Sequence, residues 1–90
     1  MFIVVAYDIP DDRRRTRLHQ RLKGFGTPVQ YSVFECVLDE RQFRDMQAMV
    51  KKTIRLKEDD VRYYSLCADC QAKIIALHSP VTTVAQTIVV

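Results

Sequence analysis

The chain has 90 residues, 48% hydrophobic and 28% charged, which is the balance of one folded domain and excludes both a disordered segment and a multidomain enzyme. Fourteen Lys and Arg against eleven Asp and Glu leave a net charge of +3, too mild by itself to specify a nucleic-acid partner. A chain this short buries only about 60–65% of the surface its unfolded form exposes, so a second copy or a partner would add materially to its core.

Residues Phe2 to Tyr7 (FIVVAY) are β-branched and aromatic, too few for a helix, and closed by Asp8-Ile9-Pro10. They predict a strand with apolar residues on both faces. From Asp11 the pattern turns helical, with Leu18, Leu22 and Phe25 as the inward stripe, Asp11 or Asp12 as N-cap, and Gly24 and Gly26 as the stop. After Thr27-Pro28, the run VQYSVFECVL predicts either one strand with a bulge near Ser32 to Phe34 or two short strands, because its alternation changes phase at Phe34. Asp39 with Gln42 fits a capping box, and Phe43, Met46, Val50 and Ile54 form the stripe of a second helix. VRYYSLC then reads as a strand, CADCQA as a turn, KIIALH as another strand, and TTVAQTIVV as a last segment of high strand propensity.

That order suits an α+β, ferredoxin-like sandwich in which a mostly antiparallel sheet carries two helices on one face. Residues 1–78 are expected to form the domain and 79–90 a C-terminal strand or tail pairing with the other subunit. Two helices cover one face only, so the apolar second face of the first strand predicts a homodimer packed sheet against sheet. The apolar N-terminus is too short for a signal peptide or a membrane span, and three cysteines without an export signal point to the cytoplasm.

The charge is concentrated. Asp11 to Lys23 carries +4, leaving −1 for the rest of the chain. At about 100° per residue, Arg13, Arg14, Arg17 and Arg21 share one flank of the helix, with Arg15, His19 and Lys23 on the other side. Uninterrupted like charges at i, i+4 repel, so a helix that was merely solvated would gain by alternating signs. Arg also offers phosphate a bidentate fork, which makes the flank a candidate phosphate-contacting ridge, doubled in a dimer and salt-sensitive. The plainer alternative is an ordinary exposed helix. No base-reading motif is present, and the aromatics available for stacking on this reading are Tyr63 and Tyr64.

Asp8 leaves the first strand just before the basic helix, a place where a sheet holds a carboxylate rigidly. As a lone residue it reads most simply as a turn or cap. Were a twofold axis to pass nearby, the two copies of Asp8 would face each other and repel unless a cation lay between them. Magnesium, which takes oxygen ligands and keeps several waters, would suit such a pair and could promote phosphodiester hydrolysis.

The Tyr7-Asp8-Ile9 strand end, the Arg13-Arg14-Arg15 helix start, the Gln30-Tyr31-Ser32-Val33-Phe34-Glu35 segment and the Asp60 to Cys67 strand resemble the signature of the small CRISPR-associated core protein, the Cas-two family. The resemblance spans nearly the whole chain. It implies a ferredoxin-like homodimer in spacer acquisition that binds duplex DNA and bridges the CRISPR integrase. It also implies magnesium-dependent endonuclease activity on single-stranded RNA or double-stranded DNA, with Asp8 as catalytic residue and metal ligand. Arg13, Arg14, Arg15, Arg17 and Arg21 are then the nucleic-acid-binding set, and Tyr7, Ser32 and Phe34 support the cleft. The tail after His78 is longer and more apolar than a minimal version of this fold.

Other signals weigh less. Cys67 and Cys70 form a lone CxxC; with Cys36 and His78 it could supply four zinc ligands, but closed zinc sites are usually built from two tight pairs. A redox role needs the pair at a helix start, whereas the predicted elements put it between strands. His19 reads as an exposed helix residue. The rival to a nucleic-acid role is a non-catalytic ferredoxin-like regulatory or ligand-binding dimer.

Overall fold

The computed structural model describes residues 1–78. The elements run β1 (Phe2–Asp8), α1 (Asp12–Leu22), β2 (Thr27–Gln30), β3 (Val33–Val37), α2 (Glu40–Thr53), β4 (Asp60–Leu66) and the short α3 (Ala68–Ala72). The four strands form one antiparallel sheet in the order β2-β3-β1-β4. With the βαββαβ sequence of its first six elements, this is the ferredoxin-like α+β sandwich that the chain predicts.

Period-two alternation divides β1 between two environments. Ile3, Val5 and Tyr7 point into the core with Phe34 and Cys36 of β3, and are covered by Leu18 and Leu22 of α1 and Met46 and Val50 of α2. Each fully buried Leu or Ile contributes about 1.5–3 kcal/mol, so these few side chains hold the sandwich together. Val4 and Ala6 face the other way and are only partly covered, as are Val33 and Glu35 beside them. On this opposite face Phe2 is buried, while Val4, Ala6 and Val33 form an apolar centre that is only partly covered among the described residues.

The caps follow from the residues that precede each helix. The Asp11 carboxylate accepts the Arg14 backbone N–H at 2.9 Å, and Asp39 and Gln42 close a reciprocal capping box at 2.7 and 2.9 Å. Both satisfy backbone donors that the first turn leaves free. The glycines after α1 work differently from the expected left-handed stop, since neither has positive φ. Gly26 is required by close approach: a Cβ there would sit 2.5 Å from the Glu35 carbonyl oxygen and collide with Cys36 Sγ.

The run VQYSVFECVL resolves into two strands, a hairpin broken at Tyr31-Ser32. Ser32 takes φ +63°, the only positive φ among the described residues, and the register slips between Pro28 and Gln30. That irregularity produces the phase change at Phe34.

Two expectations need correction at the C-terminal end. CADCQA is a helical turn, and Lys73 to His78 form no strand. Cys67 Sγ accepts the Cys70 N–H at 3.4 Å, and the amides of Gln71, Lys73 and Ile74 bond back to Cys67, Cys70 and Gln71. Donors spent on local turns cannot join a ladder, and Ile75 and Leu77 stand exposed. Residues 79–90, expected to form the pairing tail, lie outside the described residues.

Candidate nucleic-acid interface and carboxylate site

The five arginines of α1 fall into three environments. Arg14 turns inward: Nε and Nη2 donate to the Asp59 carboxylate at 2.9 and 3.0 Å, and Nη2 also reaches Glu58 at 2.9 Å. Asp59 has a side chain 0% exposed and accepts the Arg55 backbone N–H at 2.8 Å as well. The Arg14 guanidinium holds the Asp59 carboxyl below the usual carboxylate range, and Asp59 raises Arg14 in turn. Arg14 therefore ties α1 to the loop before β4 and does not extend the ridge. Arg21 leans toward α2, where Nη1 donates to Thr53 Oγ1 at 2.7 Å, and that hydroxyl donates in turn to the Met49 carbonyl at 2.9 Å.

Arg15 lies on the hairpin side. Its Nη1 donates to the Ile9 carbonyl at 2.9 Å and Nη2 pairs with Asp12. Arg13 and Arg17 remain exposed, with no side-chain hydrogen bond or ion pair among the described residues. With Asp12 and Thr16 they line a shallow shelf on the outer side of α1.

Asp8 is exposed at the end of β1, on the open face, because Tyr7 before it points into the core. The register places Asp60 of β4 directly opposite Asp8. Facing residues in an antiparallel pair have Cβ atoms about 4.5–5.5 Å apart, and like charges so placed are destabilising. Asp60 is partly neutralised by Arg62 at 3.3 Å, and Asp8 has no comparable partner among the described residues. Two exposed carboxylates facing each other across the ends of neighbouring strands fit magnesium, which needs only one or two from the protein and keeps its remaining waters. Among the described residues no three His, Cys, Asp or Glu converge, so one chain alone offers this pair and nothing more. Asp60 escapes sequence reasoning because its role depends on register, although both carboxylates sit where a strand meets a loop.

The expected cleft residues lie on the other side of the sheet from Asp8. Tyr7 and Phe34 are core residues with ring centroids 6.4 Å apart, and Ser32 forms the turn whose carbonyl accepts the Tyr7 N–H at 3.0 Å. Burial raises the Tyr7 hydroxyl, partly offset by the Ser32 side chain. Tyr7 Oη lies 3.2 Å from His19 Nδ1, and the His19 ring meets Phe34 edge-on at 5.1 Å. His19 is thus a held residue rather than a free surface one. Of the stacking candidates, Tyr63 turns inward against Phe43 at 5.5 Å, and Tyr64 is half-exposed on the open face. The aromatic most open to solvent is Tyr31, 83% exposed at the hairpin turn.

The CxxC pair sits at a helix start after all, with Cys67 as N-cap of α3, which removes the reason given for discounting redox chemistry. The Cys70 amide lowers the Cys67 thiol, whereas the Cys67 side chain raises Cys70. Cys36 is pushed up to about 11 by burial in the core.

By fold the chain is a ferredoxin-like sandwich, and its candidate site residues are the exposed Arg13 and Arg17 of α1 and the facing Asp8 and Asp60 at the ends of β1 and β4. Residues 1–74 match the family described as CRISPR associated protein Cas2. The chain is 49% identical over 67 residues to a Synechocystis protein named CRISPR-associated endoribonuclease Cas2 3, covering 73% of each. It is 50% identical over 66 residues to a Chloroflexus aurantiacus protein of the same name, covering 73% of this chain and 71% of that one. Among solved structures, Streptococcus pyogenes Cas2 superposes with a TM-score of 0.77 at 28% identity, over 86% of this chain and 99% of that one. The chain belongs to the Cas2 family of CRISPR-associated proteins, a family whose named members include endoribonucleases and endonucleases. No helix of the described residues is long and apolar enough to cross a membrane.

Proposed function

We propose that the protein serves CRISPR adaptation as a homodimer that holds duplex DNA along its two α1 helices and bridges the integrase. The observation that carries this reading is the Arg13 and Arg17 shelf, two guanidiniums on adjacent turns left without acidic partners while every other arginine of α1 is engaged. The open, apolar centre of the sheet, at Val4, Ala6 and Val33, supports a second copy as its cover.

A second activity in the same dimer is phosphodiester hydrolysis with magnesium held by Asp8. It is favoured by the facing Asp8 and Asp60 carboxylates and by the endonuclease names of the relatives. When bound, magnesium supplies Lewis-acid polarisation of a phosphoryl oxygen and a water of lowered pKa. The chain's own part is to fix Asp8 rigidly at the strand end and to temper the neighbouring Asp60 charge with Arg62. Arg13 and Arg17 would position the substrate phosphates.

Asp8→Ala separates the two activities. The variant should keep the duplex affinity of the parent protein and lose magnesium-dependent cleavage of RNA and DNA substrates. Cleavage at the parental rate would remove Asp8 from the chemistry; loss of duplex binding would contradict the assignment of binding to the shelf.

A further inference from the structure

On the helix side of the sheet, between α1 and the β2–β3 turn, lies a cavity of about 270 Å³ lined by Tyr7, Arg15, Thr16, His19, Tyr31 and Ser32. We infer that this hollow is a subsite for one unstacked nucleotide of a single strand. The inference rests on the nucleic-acid reading of the Arg13 and Arg17 shelf and extends it.

Four features of the hollow carry the assignment. Its volume of about 270 Å³ falls just below the about 300 Å³ at which pockets for drug-sized molecules begin, a size that suits one base. The hollow's exposed lining is largely apolar, as the face of a base requires, and Tyr31 adds an aromatic face exposed on a turn that Ser32 fixes in the left-handed region. Base stacking on such a face is tolerant of sequence, in keeping with the lack of a base-reading motif.

His19 supplies the third feature. Its ring is clamped between the Tyr7 hydroxyl at Nδ1 and the edge-on Phe34 ring, and Nε2 is the nitrogen left free. The Tyr7 contact occupies Nδ1 and orients the ring, so Nε2 is the nitrogen available to exchange a hydrogen bond with a base or sugar. Buried tyrosines usually find a partner for the hydroxyl, but a core needs no histidine to provide it.

The fourth feature is continuity. Thr16 lines both this hollow and the shelf that carries Arg13 and Arg17. A phosphodiester chain lying on the shelf therefore passes the mouth of the hollow and can lower one base into it. Bases within a duplex are stacked and paired and cannot make that move, so the hollow selects single-stranded or locally opened nucleic acid.

The test compares three fluorescein-labelled probes of equal length: an oligothymidylate, a fully abasic deoxyribose-phosphate strand and a duplex. Tyr31→Ala should weaken binding of the oligothymidylate between about 5- and about 150-fold, the range that stacking of one base spans, and leave the abasic strand and the duplex unchanged. Tyr31→Phe, which keeps the ring, should bind the oligothymidylate like the parent. Tyr31 is exposed, so neither substitution should compromise folding. Equal weakening on the thymidylate and abasic strands, or none on either, overturns the subsite. If these strands bind through Arg13 and Arg17 but ignore Tyr31, the subsite fails and the shelf stands. If the unaltered protein binds none of the three probes, both fail.

Discussion

The salt dependence of duplex binding is the sharpest measure of the shelf, because it counts phosphate contacts. Each neutralised phosphate of B-DNA contributes about 0.9 to the slope of log affinity against log salt. Of the α1 arginines, Arg14 is engaged by Asp59 and Glu58, Arg15 by Ile9 and Asp12, and Arg21 by Thr53, which leaves Arg13 and Arg17. In a homodimer these make four contacts, worth a slope of about 3.6. Between about 50 mM and about 200 mM salt that slope corresponds to about a 150-fold change in affinity. Replacing Arg13 and Arg17 together with Gln should remove this dependence, as read by fluorescence anisotropy of a labelled duplex across a salt series. Arg14→Gln should leave the slope where it was and instead lower the melting temperature. A slope that falls equally for Arg14→Gln and for the double variant would refute the division of the helix into a shelf and an internal tie.

Two further predictions concern the frame that holds the site. Gly24 and Gly26 should respond oppositely to alanine. At Gly24 a Cβ meets only the Arg21 carbonyl at 3.4 Å and φ is not positive, so Gly24→Ala should gain about 0.4–1 kcal/mol through the unfolded state. Gly26→Ala drives a methyl into Cys36 Sγ and the Glu35 carbonyl and should cost about 1–3 kcal/mol; urea unfolding midpoints of the pair check both signs. The tie at Asp59 should show in the acid limb of stability. Its carboxyl is held below the usual range, so its contribution is complete above the ordinary carboxylate value near about 4 and is lost as pH falls through the depressed one. Asp59→Asn should flatten that limb and cost about 1–2 kcal/mol near neutrality, less than an enclosed pair would because Glu58 and part of Arg14 meet solvent. Stability unchanged near neutral pH would show that the tie contributes nothing.

The parts of the fold legible in the chain are those set by near neighbours. The three-residue spacing of Asp39 and Gln42, and an aspartate at the head of the basic segment, announce helix starts before any packing exists. The stripes of Leu18 and Leu22 and of Met46 and Val50 are likewise local patterns, and all four residues are buried. What stayed hidden depends on distant partners. Arg14 belongs geometrically to the same flank as Arg17, and only the approach of Glu58 and Asp59, more than forty residues away, removes it from the surface. Asp60 faces Asp8 through a register that no local pattern specifies. KIIALH has the composition of a strand, but the cysteine-capped turn before it consumes its first amides. Tyr63 is interior because β4 turns that face to the helices, and Tyr31 is exposed because it falls in the turn between β2 and β3.

The two borders of the sheet are not equivalent. β2 is four residues long and has Pro28 within it, a residue without an N–H to offer, and its pairing with β3 is already irregular. β4 is seven residues long, pairs with β1 in unbroken register from Asp60 to Leu66, and has no neighbour on its outer side among the described residues. Growth of the sheet is therefore directional. A strand added from elsewhere in the chain, or from another molecule, would find a complete row of donors and acceptors beside β4 and a poor one beside β2. Any such addition would build outward next to Asp60, on the far side from the hairpin and Tyr31. The border that can recruit new chain is thus the one that adjoins the carboxylates, and the hollow beneath the hairpin is left clear of it.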